Sequence, residues 1–560
     1  MCNDARMAGG ILLNAIDVPY TVSCLMPDNG LALLAACLIG QGHRAEVWDL
    51  GTVSTLRDLV GTDDRTSLQT LLAAMERGAL GPEHVEQLRV LDERVVDGLR
   101  TIYRALFARL ERRVAAGGVD FIGLKLWMGA GYRIALELAA ELKKRHPRLE
   151  VFAGGPVGTL AAELLLATHP VLTAVCVGDG EEAIVGLAEH CDGRRALCDV
   201  PNMAIREGAG VRLPRPHFTD LNTLPVPAYD PDIYAATAGA QSLPIPCIDE
   251  SRGCPMGCHF CAHSRLSGGR WRVREAEGIL AEMDACRQTL GARAFRFAGS
   301  YTPSSVYREV ADRLLASGVP TLYSGFAHIS GTKIEDLPTL RRSGLVALFF
   351  GVESGAPELL RGPLGKKIVP QKAREVLAAC LDAGIFVSAS IIFPSPGETD
   401  ETEAQTVGLL TELFAGRTGE CSVPVQPAFP QPGSQWWKDF ESYGFSGDRQ
   451  ELLEAICSLR VRHLLPVSLW EPPPYGMDGH GIAYHTARTT AFARKLESRG
   501  ILTGMADEAV LIGAAAGYEP REFHRLQRRI FVTADAEAMQ DIISRVREGR
   551  GTEPPAQNTE

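Results

Sequence analysis

Two strand–helix series followed by a mostly helical remainder predict an α/β chain. In the first series, candidate strands at 20–25, 45–50, 121–127, 150–153 and 174–177 alternate with helical patterns at 30–40, 132–146 and 159–166. Strands that alternate with helices of this length argue for a doubly wound parallel sheet over residues 1–200. In the second series, strands at 244–250, 293–298, 320–326, 346–351, 385–393 and 421–428 are separated by helices at 274–289, 303–317, 335–343, 370–383 and 401–415. Six strands with right-handed crossovers curl toward a partial (β/α)6 barrel over 244–445, and ligands of such a barrel sit at the strands' C-terminal ends. Residues 446–560 form the helical remainder, with a disordered tail expected over 549–560.

The connecting stretches fit this layout. A helical insertion near 54–116 interrupts the first series, and Leu68, Leu71, Leu72 and Met75 give it one apolar face at helical spacing. The proline-rich passage 201–243 reads as a linker. In the barrel, Pro370 opens one helix and Gly384 closes it, as helix punctuation requires.

Composition narrows the class. At 560 residues the chain exceeds one ordinary core, and 46% apolar with 22% charged residues is ordinary globular usage. A formal charge of −11 without a lysine/arginine block disfavours nucleic acid as partner. The N-terminus lacks the layout of a signal peptide, and the apolar run 31–39 is far short of a membrane span. Scattered cysteines suit thiolate ligands in a reducing compartment, so a cytoplasmic, oxygen-sensitive protein is the expectation; a monomer with no membrane partner is expected as well.

The chemistry concentrates at Cys254, Cys258 and Cys261, a C-x3-C-x2-C run directly after the first barrel strand. Three thiolates on one short loop hold three corners of a cubic iron–sulfur cluster and leave its fourth iron open. Gly253 and Gly257 let the backbone curl around so large an object, and Pro255 stiffens the turn. A zinc site with His259 or His263 as fourth ligand is the alternative, although structural zinc usually pairs two cysteine half-sites and no second half follows. A chance cluster of buried cysteines is the remaining reading.

This spacing, with the aromatic Phe260 before the third cysteine, resembles the radical S-adenosylmethionine (SAM) superfamily. The resemblance continues through 349–355 (F-F-G-V-E-S-G), 387–399 ending in P-G-E-T, and 427–434. It implies a [4Fe-4S] cluster whose open iron takes SAM, and it implies SAM contacts from Phe260, Ser300, Glu353, Ser354, Ser388 and Ser390. The second strand ends at Ser300 without the acidic residue often found there in the family. The plain alternative for Glu353 is a carboxylate paired with a nearby arginine or capping the next helix.

Ahead of the barrel, the 27–30 turn, A-G-G-P at 153–156 and V-G-D-G-E-E at 177–182 resemble the Rossmann-like cobalamin-binding domain attached to one branch of radical SAM enzymes. Glycines at the C-terminal edge of a parallel sheet admit a large flat cofactor. The implied cobalamin contacts are Asp28, Asn29, Trp127, Gly154, Gly155, Gly178, Gly180 and Glu181. The D-x-H-x-x-G motif that supplies a cobalt-ligating histidine elsewhere is absent from 25–30. Trp127 is then a candidate cover for the cofactor's lower face, with a core tryptophan as the alternative.

The resemblance implies a cobalamin-dependent radical SAM C-methyltransferase acting on an unactivated carbon of a small secondary metabolite, in an antibiotic pathway. A 5′-deoxyadenosyl radical would take hydrogen from the substrate, methylcobalamin would supply the methyl group, and a flavodoxin or ferredoxin would supply electrons. A cobalamin-binding cyclase or rearrangement enzyme is the alternative. A methylthiotransferase ranks lower, since Cys24, Cys37, Cys176, Cys191 and Cys198 form no second trio. Trp436, Trp437, Trp470, Tyr475, His480, Tyr484 and His485 are candidate pocket residues, and Arg525 and Arg528 a candidate dock for an acidic carrier protein.

Overall fold

The computed structural model describes residues 7–77, 79–459 and 473–551. The chain divides into two compact units, one built on Met1–Leu243 with Leu453–Pro466 and Arg528–Gln540, the other on Pro244–Leu452 with Val467–Gln527 and Asp541–Glu560.

The first unit begins with β1 (Gly9–Ala15), α1 (Asn29–Gly40) and β2 (Arg44–Asp49). The helical insertion follows as α2 (Val53–Asp58), α3 (Thr62–Glu76) and α4 (Pro82–Ala115). The series resumes with β3 (Phe121–Leu126), α5 (Ala130–Arg145), β4 (Glu150–Gly154), α6 (Gly155–Thr168), β5 (Ala174–Cys176) and α7 (Glu181–Cys191). It ends with β6 (Met203–Glu207) and β7 (Gly210–Arg212). The sheet order is β2-β1-β3-β4-β5-β6-β7, parallel as far as β5 and antiparallel beyond. In the insertion, Leu88, Leu91, Val95, Leu99, Leu106 and Leu110 bury one stripe of α4 at helical period.

Two expectations are corrected here. The first strand lies at 9–15, and residues 22–25 of the expected strand form a 3-10 turn instead. Glycines disguise β1, yet they are what the position demands. A Cβ on Gly10 would lie 2.3 Å from the Phe121 ring, and one on Gly9 would lie 1.9 Å from the Gly118 carbonyl oxygen. The passage 201–243 is no linker either. It supplies β6 and β7, and Val47 N–H donates to the Ile233 carbonyl at 2.8 Å. The segment 22–40 has a mean hydropathy of 1.7, but α1 spends its apolar side chains inside this unit, with Leu31, Leu33 and Leu38 buried.

The second unit opens with β8 (Cys247–Ile248) and β9 (Ser251–Arg252), then the cysteine loop, closed by α8 (His263–Leu266) and β10 (Arg272–Val273). There follow α9 (Ala276–Leu290), β11 (Ala294–Phe297), α10 (Ser304–Ser317), β12 (Leu322–Ala327), α11 (Leu337–Arg342) and β13 (Leu345–Glu353). Next come α12 (Pro357–Arg361), α13 (Pro370–Asp382), β14 (Phe386–Ile392), α14 (Asp400–Phe414), β15 (Cys421–Ser422) and β16 (Val425–Gln426). The strands pair in parallel in the order β8-β11-β12-β13-β14-β15, with β16 also on β14, which is the expected partial barrel. The chain continues through α15 (Gln435–Lys438), β17 (Phe445–Ser446), α16 (Arg449–Ser458), β18 (Gly476–Met477) and β19 (His480–Gly481). It closes with α17 (Ile482–Glu497), α18 (Asp507–Ala515), α19 (Pro520–Thr533) and α20 (Ala536–Glu548).

The stretch 446–560 does not stand as a domain of its own, since its segments cluster with one unit or the other. Residues 552–560 of the expected disordered tail lie outside the described residues. Within the barrel unit, α18 shuts the floor. Asp507 is fully buried and accepts from Arg296 on β11 and from Ser324 on β12, the latter at 2.7 Å. A guanidinium and a carboxylate buried together hold one geometry, because separating them would leave a charge without a partner.

Candidate active site

At the mouth of the barrel, the cysteine loop turns on Gly253 (φ 85°) and Gly257 (φ 69°). A side chain at Gly253 would also strike the Arg270 carbonyl oxygen, at 2.1 Å. Partial burial raises the thiol pKa of all three cysteines, Cys258 to about 11, while the Lys366 ammonium opposes that rise. Among the described residues no three His, Cys, Asp or Glu side chains converge on a point where one ion could sit. The three thiols stand near enough to perturb one another electrostatically.

The site's main cation was not read from the sequence. Lys366 is buried, pairs with Glu353 at 3.1 Å, and stands 5.7 Å from the Phe260 ring centre. Glu353 ends β13 in the left-handed region (φ 68°), at the point where the β13–β14 register shifts. Burial raises its pKa, whereas Lys366 and a hydrogen bond with Ser390 favour the carboxylate. Such a strained, buried acid at a strand end is a common mark of a ligand site. The alternative reading of Glu353 as half of an ion pair is also realised, with a lysine as the other half. Phe260 rests against Trp436 at 5.8 Å.

Other expected contacts are redistributed. Ser300 lies half-buried just beyond β11, at the mouth. Ser354 is buried, shares its hydroxyl with Thr406 at 3.2 Å and accepts from Ala356 N–H, so its hydroxyl is engaged in the turn that leads into α12. Ser388 is fully buried and donates to the Met505 carbonyl at 3.0 Å, which makes it part of the barrel floor. Ser390, two residues on and on the same face, is the serine of that strand that reaches the Glu353 carboxylate.

Three of the candidate pocket residues are core. Trp436 is fully buried and donates to the Pro363 carbonyl at 2.7 Å; Tyr475 and His485 are likewise buried and bonded to backbone carbonyls. Trp437 packs edge-on against Phe440. His480 and Tyr484 stack on each other at 4.2 Å, and the latter is exposed. Trp470 lies outside the described residues. Arg525 and Arg528 are exposed.

In the first unit, the strand ends carry a second constellation. Asp28 caps α1 by accepting from Leu31 N–H at 2.9 Å, and it pairs with Lys125 of β3. Its own backbone N–H donates to the Tyr234 hydroxyl at 2.6 Å. That hydroxyl in turn donates to Asp49, which also accepts from Asn14 at 2.9 Å. Burial raises the Asp49 pKa, with the nearby Asp28 charge adding to the effect. Asn29 is the first residue of α1. Trp127 is 42% exposed with the Lys125 ammonium 5.1 Å from its ring, so it is not a core tryptophan.

The glycines of this edge divide by environment. A Cβ on Gly178 (φ 90°) would meet nothing within 4 Å, so the backbone there lies bare. At Gly155 (φ 83°) a Cβ would press on Lys125 at 3.1 Å, while Gly154 and Gly180 have contacts beyond 3.2 Å. Glu181 is buried at the first turn of α7, where a carboxylate suits the helix dipole. Asp179 fixes the turn by accepting from Thr219 N–H at 3.0 Å. A bare edge beside an exposed indole fits a broad, flat ligand.

The Radical SAM superfamily model matches residues 250–410, and the B12 binding domain model matches residues 90–188. The chain thus carries a B12 binding domain followed by a radical SAM domain, the pairing expected from its sequence motifs. These are the domain types for SAM-based radical chemistry and for cobalamin binding. An uncharacterized methyltransferase of Pyrococcus horikoshii is 25% identical over 394 residues, which is 69% of this chain and 81% of that protein. An anaerobic magnesium-protoporphyrin IX monomethyl ester cyclase of Rubrivivax gelatinosus is 23% identical over 369 residues, 60% of this chain and 64% of that one. The fold matches the methyltransferase TsrM from Kitasatospora setae with cobalamin and [4Fe-4S] cluster bound, at TM-score 0.62 and 15% identity, covering 95% of this chain and 99% of that chain.

Proposed function

We propose that this radical SAM enzyme C-methylates an unactivated carbon of a small secondary metabolite. The observation that carries the reading is one chain with two strand-end sites: a cysteine loop beside a buried Lys366–Glu353 pair, and a glycine-bare sheet edge without a histidine ligand. When bound, the cluster with SAM supplies one-electron cleavage of a carbon–sulfur bond, and cobalamin supplies a methyl donor.

The chain's own part is holding and shaping. Cys254, Cys258 and Cys261 would hold the cluster, and Glu353 with Ser390 offers acceptors to ligand hydroxyls at the mouth. Lys366 keeps a positive charge beside thiolates that burial alone would disfavour. Asp28 and Lys125, tied through Tyr234 to Asp49, would set the floor under a flat cofactor. A small-molecule substrate suits a chain of charge −11 without a basic block.

The test is anaerobic reconstitution with iron, sulfide and cobalamin, then incubation with SAM carrying a deuterated methyl group. Label recovered on the bound cobalamin supports methyl transfer. A cofactor that stays unlabelled while SAM is cleaved would favour the second reading, a ring-forming enzyme, which the match to the Rubrivivax gelatinosus cyclase keeps in view.

A further inference from the structure

One histidine at the barrel mouth has no task in the fold. His328 directly follows β12, whose side chains alternate between two faces. Ser324 on that strand reaches Asp507 in the floor, and Phe326 meets Phe349 at 5.2 Å and Arg296 at 5.2 Å. Those partners lie within the barrel, so His328, two further on, shares their inward face. Tyr323 and Gly325 take the opposite face, where Tyr307 and Phe297 pack.

The imidazole is held tightly. Its backbone carbonyl accepts from Gly331 N–H at 2.9 Å and from both the N–H and the hydroxyl of Thr332 at 3.0 Å. Tyr301 sets its edge against the ring at 5.8 Å and is itself stacked on Trp271 at 4.9 Å. Gly331 makes room for that tyrosine, since a Cβ there would lie 1.8 Å from the phenol oxygen.

The hydrogen bonds also assign the tautomer. Ser330 N–H donates to Nδ1 at 3.2 Å, so Nδ1 is the acceptor and the neutral ring carries its proton on Nε2. Burial and the Lys366 charge push the pKa down to about 4, which keeps the ring neutral. His328 is 9% exposed, and among the described residues its Nε2 has no hydrogen-bond partner. A buried donor without an acceptor is costly, and it is tolerated where a ligand completes it.

We infer that His328 Nε2–H is a hydrogen-bond donor to an oxygen of SAM bound at the barrel mouth. This rests on the radical SAM reading of the cysteine loop and adds a contact outside the segments that carry the family resemblance. SAM offers two such acceptors, the methionyl carboxylate and the ribose hydroxyls, and a neutral N–H suits either.

The experiment measures equilibrium binding of S-adenosylhomocysteine and of 5′-methylthioadenosine to the anaerobically reconstituted full chain. His328→Phe keeps a ring and removes the donor, and His328→Gln keeps a donor. Losing one hydrogen bond predicts that His328→Phe weakens S-adenosylhomocysteine by about tenfold, with His328→Gln within about threefold of wild type. Equal weakening of 5′-methylthioadenosine, which lacks the carboxylate, assigns the ribose; its unchanged binding assigns the carboxylate. Wild-type affinity in His328→Phe with cluster absorbance intact would overturn the inference. Should that variant lose its cluster, His328→Asn, whose amide is too short to reach, is read the same way. Failure of the wild-type holoprotein to bind S-adenosylhomocysteine would instead overturn the reading beneath it.

Discussion

The two units solve one architectural problem in opposite ways. Both place a candidate ligand site at the C-terminal ends of parallel strands, where such sheets leave a crevice. The first unit empties its edge of side chains at Gly178 and anchors what remains from below, through Asp49, Tyr234, Asp28 and Lys125. The barrel fills its mouth with charged and aromatic groups, among them Lys366, Glu353, Tyr301 and His328. Under the proposed function a broad cofactor would be met by backbone, and a compact, charged reagent by side chains. Substitutions should therefore act differently in the two places.

The sharpest break is expected at the cysteine loop. Cys258→Ala should abolish iron and sulfide uptake while cobalamin absorbance is retained, whereas Cys286→Ala, buried in α9, should keep its iron. Parallel loss of both cofactors in Cys258→Ala would contradict the independence of the two sites. Lys366→Met comes next. It leaves Glu353 buried without its cation, a change that costs about 3–5 kcal/mol in comparable pairs. Urea unfolding should show most of that loss recovered in Lys366→Met combined with Glu353→Leu.

A smaller effect lies behind the barrel mouth. Glu250 accepts from Gly299 N–H at 3.0 Å and from the Thr302 hydroxyl, and burial lifts its pKa to about 7. The folded chain then holds this proton more firmly than the unfolded chain does. The resulting stability is fully present below about pH 4.5 and is lost as pH rises through about 7, at most ~3 kcal/mol in total. Thermal melts of Glu250→Gln from pH 5 to 8 should show a shallower decline than wild type, with the residue of the slope left to Glu282 and Glu508, both also raised to about 7. An unchanged slope would remove Glu250 from the account.

The mildest change should be Trp127→Ala. Its exposure predicts a stability loss under ~1 kcal/mol, yet the cobalamin spectrum or affinity should shift if the indole faces the cofactor. A shift in neither would sever Trp127 from that site.

The barrel was legible because its strands are apolar runs bounded by punctuation, as in β13 and β14 and at Pro370 and Gly384. The first sheet was less so. Gly9 and Gly10 look like a turn until Phe121 and Gly118 are seen pressing on them, and β6 and β7 hide beside prolines. The short α7 was missed between glycine-rich and polar neighbours. In the site, the cysteines announce themselves by spacing, and Glu353 by its motif. Lys366, His328 and Tyr234 do not, because each acquires its role from partners far away in sequence. The inward phase of Ser324 and Phe326 was the one signal that could have singled out His328.

The Asp507 stopper has a kinetic corollary. With α18 closing the bottom of the barrel through Asp507, reagent would reach the cysteine loop over the rim. Spent reagent would leave by the same door before fresh reagent enters. Under the proposed function, SAM as radical source and SAM as methyl source would then enter by turns, and exit of the first fragments becomes a natural candidate for the slow step.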